Sequence, residues 1–184
     1  MSGSTEAQSE IDSPGLSGSA PITAAGESIY ALLRRHSVPY ERFDHPAART
    51  CEEADRVIPF FDAARTKNLF LRDSSGRRHF LLTVRTDKII DFKSLARHPD
   101  LGRVGLASET RLEKHLGLRP GCLSMLSMVN DLQHHVGLIV DEDIWTADRV
   151  LCHPLINTST LIMAMTDVRR LLSELSHTPL VVEI

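Results

Sequence analysis

From Ser28 onward the chain alternates between two hydrophobic periods. Ile29, Leu32, Leu33 and His36 recur at helical spacing, and Ser37-Val38-Pro39 stops that helix. Tyr40 to Phe43 is short and extended, and His45-Pro46 turns the chain. Thr50 with Glu53 three residues on has the spacing of a capping box. Ala54, Val57, Ile58 and Phe61 form the buried face behind it, and Pro59 ends or kinks that helix. A strand-like core, Leu69-Phe70-Leu71, follows with Lys67-Asn68 at its entrance. The turn Asp73-Ser74-Ser75-Gly76 leads into a second apolar run from His79 to Val84, which is a hairpin signal.

Beyond the hairpin, Asp91 caps a short helix through Leu95 and Ala96, and Arg103 to Ala107 reads as a strand. Ser108 caps a helix that ends at Gly117, a left-handed C-cap. Leu123 to Val129 and Val136 to Val140, separated by Asn130-Asp131, read as a second hairpin. Val150-Leu151-Cys152 and residues 158–165 read as further strands. Thr166 is expected to cap a helix carrying Val168, Leu171, Leu172 and Leu175, before a last strand at Leu180-Val181-Val182. Helices alternate with pairs of strands, which predicts an α+β fold around a mixed sheet and not a doubly wound parallel one. No repeat of fixed period occurs.

Composition narrows the class. The 184 residues suit one domain, with 42% hydrophobic and 24% charged residues as in ordinary globular chains. No apolar run reaches the roughly 18 residues of a membrane-spanning helix, and no basic-then-apolar leader opens the chain. Three cysteines, Cys51, Cys122 and Cys152, make no C-x-x-C pair and leave an odd count, which fits a reducing cytoplasm. Residues 1–27 are rich in Ser, Gly, Pro and Ala and read as a disordered tail ahead of a domain over 28–184. That tail holds Glu6, Glu10, Asp12 and Glu27 and no Lys or Arg. Taking its four acids from the 24 leaves 21 basic against 20 acidic residues in the body. A body that close to neutral gives no long-range argument for nucleic acid, and none for DNA. Arg77, Arg78, Lys88 and Lys93 read either as a phosphate-contacting patch or as solvated loop charges.

Several chemistries lack their usual residues. G-x-G-x-x-G, a P-loop, G-x-S-x-G and H-E-x-x-H are all absent from the sequence. The nine histidines are scattered, and adjacent His134-His135 in a strand would face opposite sides, so no metal set is expected. Cys122 reads as a small buried thiol before it reads as a nucleophile. Lys67, heading a buried-looking strand, either snorkels to water or points its ammonium into a cleft, and strand pattern alone favours snorkelling. His153-Pro154-Leu155-Ile156-Asn157-Thr158-Ser159-Thr160 sets polar side chains between two apolar strands. Taken alone it reads as a turn, and Gly121 to Ser127 is equally bland.

In one series these stretches carry more. His45-Pro46 with Thr50-Cys51-Glu52-Glu53-Ala54, then the Thr66–Asp73 block, Leu116 to Gly121, Val129-Asn130-Asp131 and the His153–Thr160 block together resemble the YbaK/prolyl-tRNA editing domain family. The chain looks most like its free-standing members, which remove alanine wrongly attached to proline tRNA. The resemblance runs from about Ser28 to the C-terminus. It implies an α+β fold with a bifurcated mixed sheet flanked by helices, no metal or other cofactor, and a pocket for the 3′ end of an aminoacylated tRNA. It implies Lys67 as the residue on which activity most depends. Asn68 and His153 match neighbouring pocket positions, and Thr50, Gly121, Ser124, Asn157 and Thr160 are carried over as substrate-binding positions. A prolyl-tRNA synthetase or an elongation factor would be the protein partner that lends affinity. The alternative is a non-catalytic module of the same fold that binds tRNA ends or a synthetase.

The implied reaction is chemically sensible without a Ser/His/Asp triad. An aminoacyl ester is already activated, so its hydrolysis needs a positioned water and stabilisation of the developing oxyanion. A synthetase pocket built for proline rejects the smaller alanine weakly, since missing methylenes are worth about 1–3 kcal/mol, and a second, smaller site corrects the error. One departure stands out: similar proteins carry a threonine, a small residue or proline, phenylalanine and glycine where this chain has Ser124, Met125, Leu126 and Ser127.

Overall fold

A computed structural model describes residues 21–24, 26–48 and 50–184. Most of the expected tail, residues 1–20 and 25, lies outside the described residues. Within its last part, Thr23 is buried, its N–H donates to Glu27 O at 2.8 Å, and Ile22 bridges Ser28.

The first helix, α1 (Ile29–Arg35), starts where the Ser28 hydroxyl accepts from the Tyr30 N–H, and it buries Ile29, Tyr30, Leu32 and Leu33. Strand β1 (Glu41–Asp44) leads to α2 (Cys51–Val57). Helix α2 is capped by Thr50, whose hydroxyl accepts from the Glu53 N–H, and stopped ahead of Pro59. The expected hairpin is β2 (Thr66–Asp73) and β3 (His79–Arg85), paired antiparallel from Thr66↔Arg85 to Arg72↔His79. Then come α3 (Phe92–Leu95), capped by Asp91, and β4 (Val104–Leu106). Helix α4 (Glu109–Leu116) is capped by Ser108 and closed by Gly117 at φ 65°.

The second hairpin is not there. Met125–Asn130 is a 3-10 stretch, closed by a reciprocal cap in which the Ser124 hydroxyl accepts from the Leu126 N–H and the Ser127 hydroxyl accepts from the Ser124 N–H. Met125 to Val129 are all buried, and a short run apolar on every side has no period that separates strand from helix. Strand β5 (Val136–Asp141) instead lies parallel to β3, from His79↔Val136 to Thr83↔Val140. After α5 (Glu142–Trp145) come β6 (Arg149–Cys152), β7 (Ser159–Ala164), α6 (Met165–Glu174) and β8 (Leu180–Val182). Helix α6 starts one residue before Thr166, with Ala164 at its cap position and no side-chain cap bond.

The strands form two sheets, β1-β7-β6, antiparallel, and β4-β2-β3-β5-β8, mixed. They touch where Ala64 bridges Val150, with Ala64 N donating to Arg149 O and Leu151 N donating to Ala64 O at 3.0 Å. Past that point the sheets diverge, giving the bifurcated α+β architecture. Alternation along the hairpin divides the core: Phe70 and Leu81 join the larger cluster with α1, α4 and α6, whereas Leu71, Phe80, Leu82 and Val84 face the opposite side. Helix α2 lies over the smaller sheet through Ala54 and Ile58 against Leu151 and Ile162.

Candidate active site

The fork between the sheets opens a second edge of β2. Arg65 O accepts from Thr86 N on the β3 side, and Phe70 O accepts from Ala107 N on the opposite side. Main-chain groups alternate along a strand, so those of Thr66 and Asn68 point away from β3 into the gap. A cavity of about 270 Å³ fills this gap. Six of the eight expected site residues line it: Thr50 from the start of α2, Lys67 and Asn68 from β2, Gly121, His153 and Thr160. Its apolar wall includes Ala54, Ile58, Leu69, Leu123 and Leu151.

Lys67 is half-buried and does not snorkel to open water. Its ammonium donates to the Thr86 carbonyl at 3.2 Å and to the Lys88 carbonyl. Asn68 is held by the strand beside it: the Thr83 hydroxyl donates to Asn68 Oδ1 at 2.7 Å, and Asn68 Nδ2 donates to Thr66 Oγ1. His153 Nδ1 lies 3.2 Å from Ser159 O; a carbonyl only accepts, so Nδ1 carries the proton and Nε2 is the acceptor. Burial holds the His153 imidazole below its ordinary value and nearby His45 adds to this, against the Ser159 hydrogen bond, so it is kept neutral. Gly121 has φ 86°, a left-handed conformation that glycine adopts without strain.

Two expected positions stand elsewhere. Ser124 is buried, and its hydroxyl donates to His153 O at 2.7 Å while capping the 3-10 stretch, so it braces the cavity from behind. Asn157 is outside the lining; its carbonyl accepts from Ala48 N and docks the 153–158 loop onto the 45–48 turn. The four basic residues considered as one patch are divided. Arg77 and Arg78 sit at the hairpin tip, Arg78 over the Phe80 ring, whereas Lys88 and Lys93 follow the far end of β3.

Three contributors were not picked out from sequence. The Lys88 carbonyl belongs to a loop with no periodicity. Arg65 pins the α2–β2 connection by donating to Ile58 O and Pro59 O and pairing with Asp55. Cys51 lines the cavity; burial and Glu52 push its thiol up, with Lys67 opposing. Neither this thiol nor Cys122, also raised by burial, has the low pKa of a nucleophilic cysteine. The cavity offers an ammonium, a neutral imidazole, hydroxyls and main-chain edge groups around an apolar slot. Chemically, such a set is able to bind and polarise an ester carbonyl, with water as the nucleophile. Among the described residues, no group of three or more His, Cys, Asp or Glu is placed to hold a metal ion.

Fold and cavity together define an α+β domain with a forked sheet and a lysine-bearing slot at the fork. Residues 45–171 match the aminoacyl-tRNA editing domain, and the chain belongs to that family. It is 30% identical over 155 residues to the prolyl-tRNA editing protein ProX of Acetoanaerobium sticklandii, covering 84% of this chain and 94% of the relative. It is 30% identical over 164 residues to prolyl-tRNA synthetase associated domain-containing protein 1 of Danio rerio, covering 88% of each. The same fold occurs in the crystal structure of a candidate trans-editing enzyme for prolyl-tRNA synthetase, with TM-score 0.62, 16% identity and coverage of 84% and 92%. The family and α+β class expected from the motif series therefore hold.

Proposed function

We propose that the protein is a trans-acting aminoacyl-tRNA deacylase that clears mischarged proline tRNA, with Ala-tRNA(Pro) as its substrate. The observation that carries this reading is that Lys67, its ammonium held by two main-chain carbonyls, and a neutral His153 line one small, mostly apolar slot. The slot, at about 270 Å³, is just below the roughly 300–1,000 Å³ of small-molecule sites, so it suits an aminoacyl group and not a whole nucleotide. An open cleft adjoins it, sharing Asp55, Ile58, Arg65 and Thr86 and carrying Arg56 and the largely exposed Phe60. The terminal nucleotides of the tRNA would leave the slot along that cleft, past Phe60.

In this reading Lys67 anchors the ester and stabilises the charge that develops on its carbonyl oxygen. The water is oriented by main-chain groups on the open edge at Thr66 and Asn68, or by the 2′-hydroxyl of the tRNA. His153 and Thr160 contribute to the polar part of the slot wall. The editing domain is taken as 28–184, working in the cytoplasm where tRNA is charged, with a synthetase or elongation factor delivering substrate. Among the described residues, no helix is long and apolar enough to cross a membrane.

The test is incubation with proline tRNA charged separately with alanine, cysteine, serine and proline. Rapid loss of alanine alone is expected. Hydrolysis of none of them by folded protein would replace the enzyme by a binding module.

A further inference from the structure

Lys67 does not fix its own position: both carbonyls that hold its ammonium, those of Thr86 and Lys88, lie in the loop that follows β3. Ile90 in that loop packs against the second core cluster, whereas Ile89, next to Lys88, is 92% exposed. The Lys88 side chain folds back to the sheet. Its Nζ is 2.8 Å from Asp141 Oδ1 and 2.8 Å from Asp143 Oδ2. Parallel pairing of β3 with β5 makes this reach possible, because it brings the C-terminal ends of both strands to one side of the sheet.

Asp141 is fully buried, and its second oxygen, Oδ2, has no hydrogen-bond partner among the described residues. A buried carboxylate left half-satisfied costs stability, and an ion pair in such a place is commonly no better than an apolar pair. Nor does the carboxylate serve the adjoining helix: Asp141 is the cap residue of α5 but makes no side-chain cap bond. What the pair does achieve is to tie the Lys88 main chain to the rigid sheet. We propose that Asp141 and Lys88 are positioning residues, which hold the Lys88 carbonyl against the Lys67 ammonium and so aim that ammonium into the cavity. A long, flexible lysine loses rotamer entropy when it is held, and a misplacement of about 1 Å in an active site can cost about 100-fold in rate. A buried anchor acting through one carbonyl suppresses both losses. The inference rests on Lys67 being the group that meets the ester.

The experiment uses the full chain with Asp141→Asn and, separately, Lys88→Met, which keeps most of the aliphatic stem. Two quantities are read: kcat and KM on Ala-tRNA(Pro), and the rate of reductive methylation of Lys67 by mass spectrometry, with Lys93 as internal reference. The expected result is a cooperative melt, a fall in kcat of about 10-fold or more with KM within about twofold, and several-fold faster methylation of Lys67 relative to Lys93. Wild-type kcat and wild-type Lys67 reactivity in a folded variant would overturn the proposal. So would a lower kcat with unchanged Lys67 reactivity, since the pair would then act only on the fold. If Asp141→Asn does not fold, Lys88→Met decides by the same criteria. If neither single variant folds, the double variant Asp141→Asn/Lys88→Met, which removes the buried charge with its partner, decides. Methylation is measured without any deacylation, so a failure of the catalytic reading, seen as Lys67→Ala with undiminished activity, is a separate outcome.

Discussion

His45 and Thr160, 115 residues apart, share one hydrogen bond of 3.0 Å behind the cavity wall. His45 Nδ1 lies 2.8 Å from Pro46 O and must donate to it, so Nε2 accepts the Thr160 hydroxyl proton. This fixes the Thr160 hydroxyl as a donor to His45 within the wall of the slot. Both residues are buried, at 2% and 1% exposure, so neither group has water as a substitute. Thr160→Val keeps the shape and leaves His45 Nε2 unpaired. It is expected to destabilise the protein by about 1–3 kcal/mol in urea unfolding, with Thr160→Ser recovering most of the loss.

Stability is expected to fall on mild acidification. Burial holds His79, His115, His153 and His177 below the ordinary histidine value of 6.5. A base whose folded pKa is below its unfolded pKa binds more protons when unfolded. Its contribution is therefore complete above about 6.5 and is lost as pH falls from there toward the folded values. Thermal melts at stepped pH should show the midpoint dropping through this window, before the carboxylates begin to protonate.

Cys152 lines the cavity but should be chemically silent. It is buried, and desolvation pushes its thiol up to about 12. Native alkylation near neutral pH should spare Cys152 while Cys51 and Cys122, both partly exposed, react more readily. Denaturation should then expose all three equally, read by mass spectrometry.

Gly121→Ala should cost both stability and activity. At φ 86° an alanine carries a left-handed penalty of about 1–2 kcal/mol, and relief of that strain would shift main chain that lines the slot. A lower melting temperature with a raised KM for Ala-tRNA(Pro) is the expected pair of results.

Much of the cavity was legible because its residues sit at element boundaries that local pattern marks. Thr50 is visible as a cap, Lys67 and Asn68 as the polar head of an apolar strand, and Gly121 as a turn. The resemblance then grouped them with His153 and Thr160. The capping role of Ser124 was not legible, because a hydroxyl in an apolar run looks the same whether it binds a ligand or caps a buried 3-10 turn. The parallel β3–β5 pairing and the Lys67–Lys88–Asp141 chain were invisible for a different reason. They join residues far apart in sequence through a main-chain carbonyl and a buried carboxylate, and neither leaves a periodic trace.

The central claim is that Lys67 carries the reaction, and single-turnover deacylation of Ala-tRNA(Pro) by Lys67→Ala tests it most directly. The expected result is a loss of about 100-fold or more in rate, as for removal of a group that stabilises an oxyanion, in a protein with an unchanged melting temperature. Deacylation at the wild-type rate by that folded variant would contradict it.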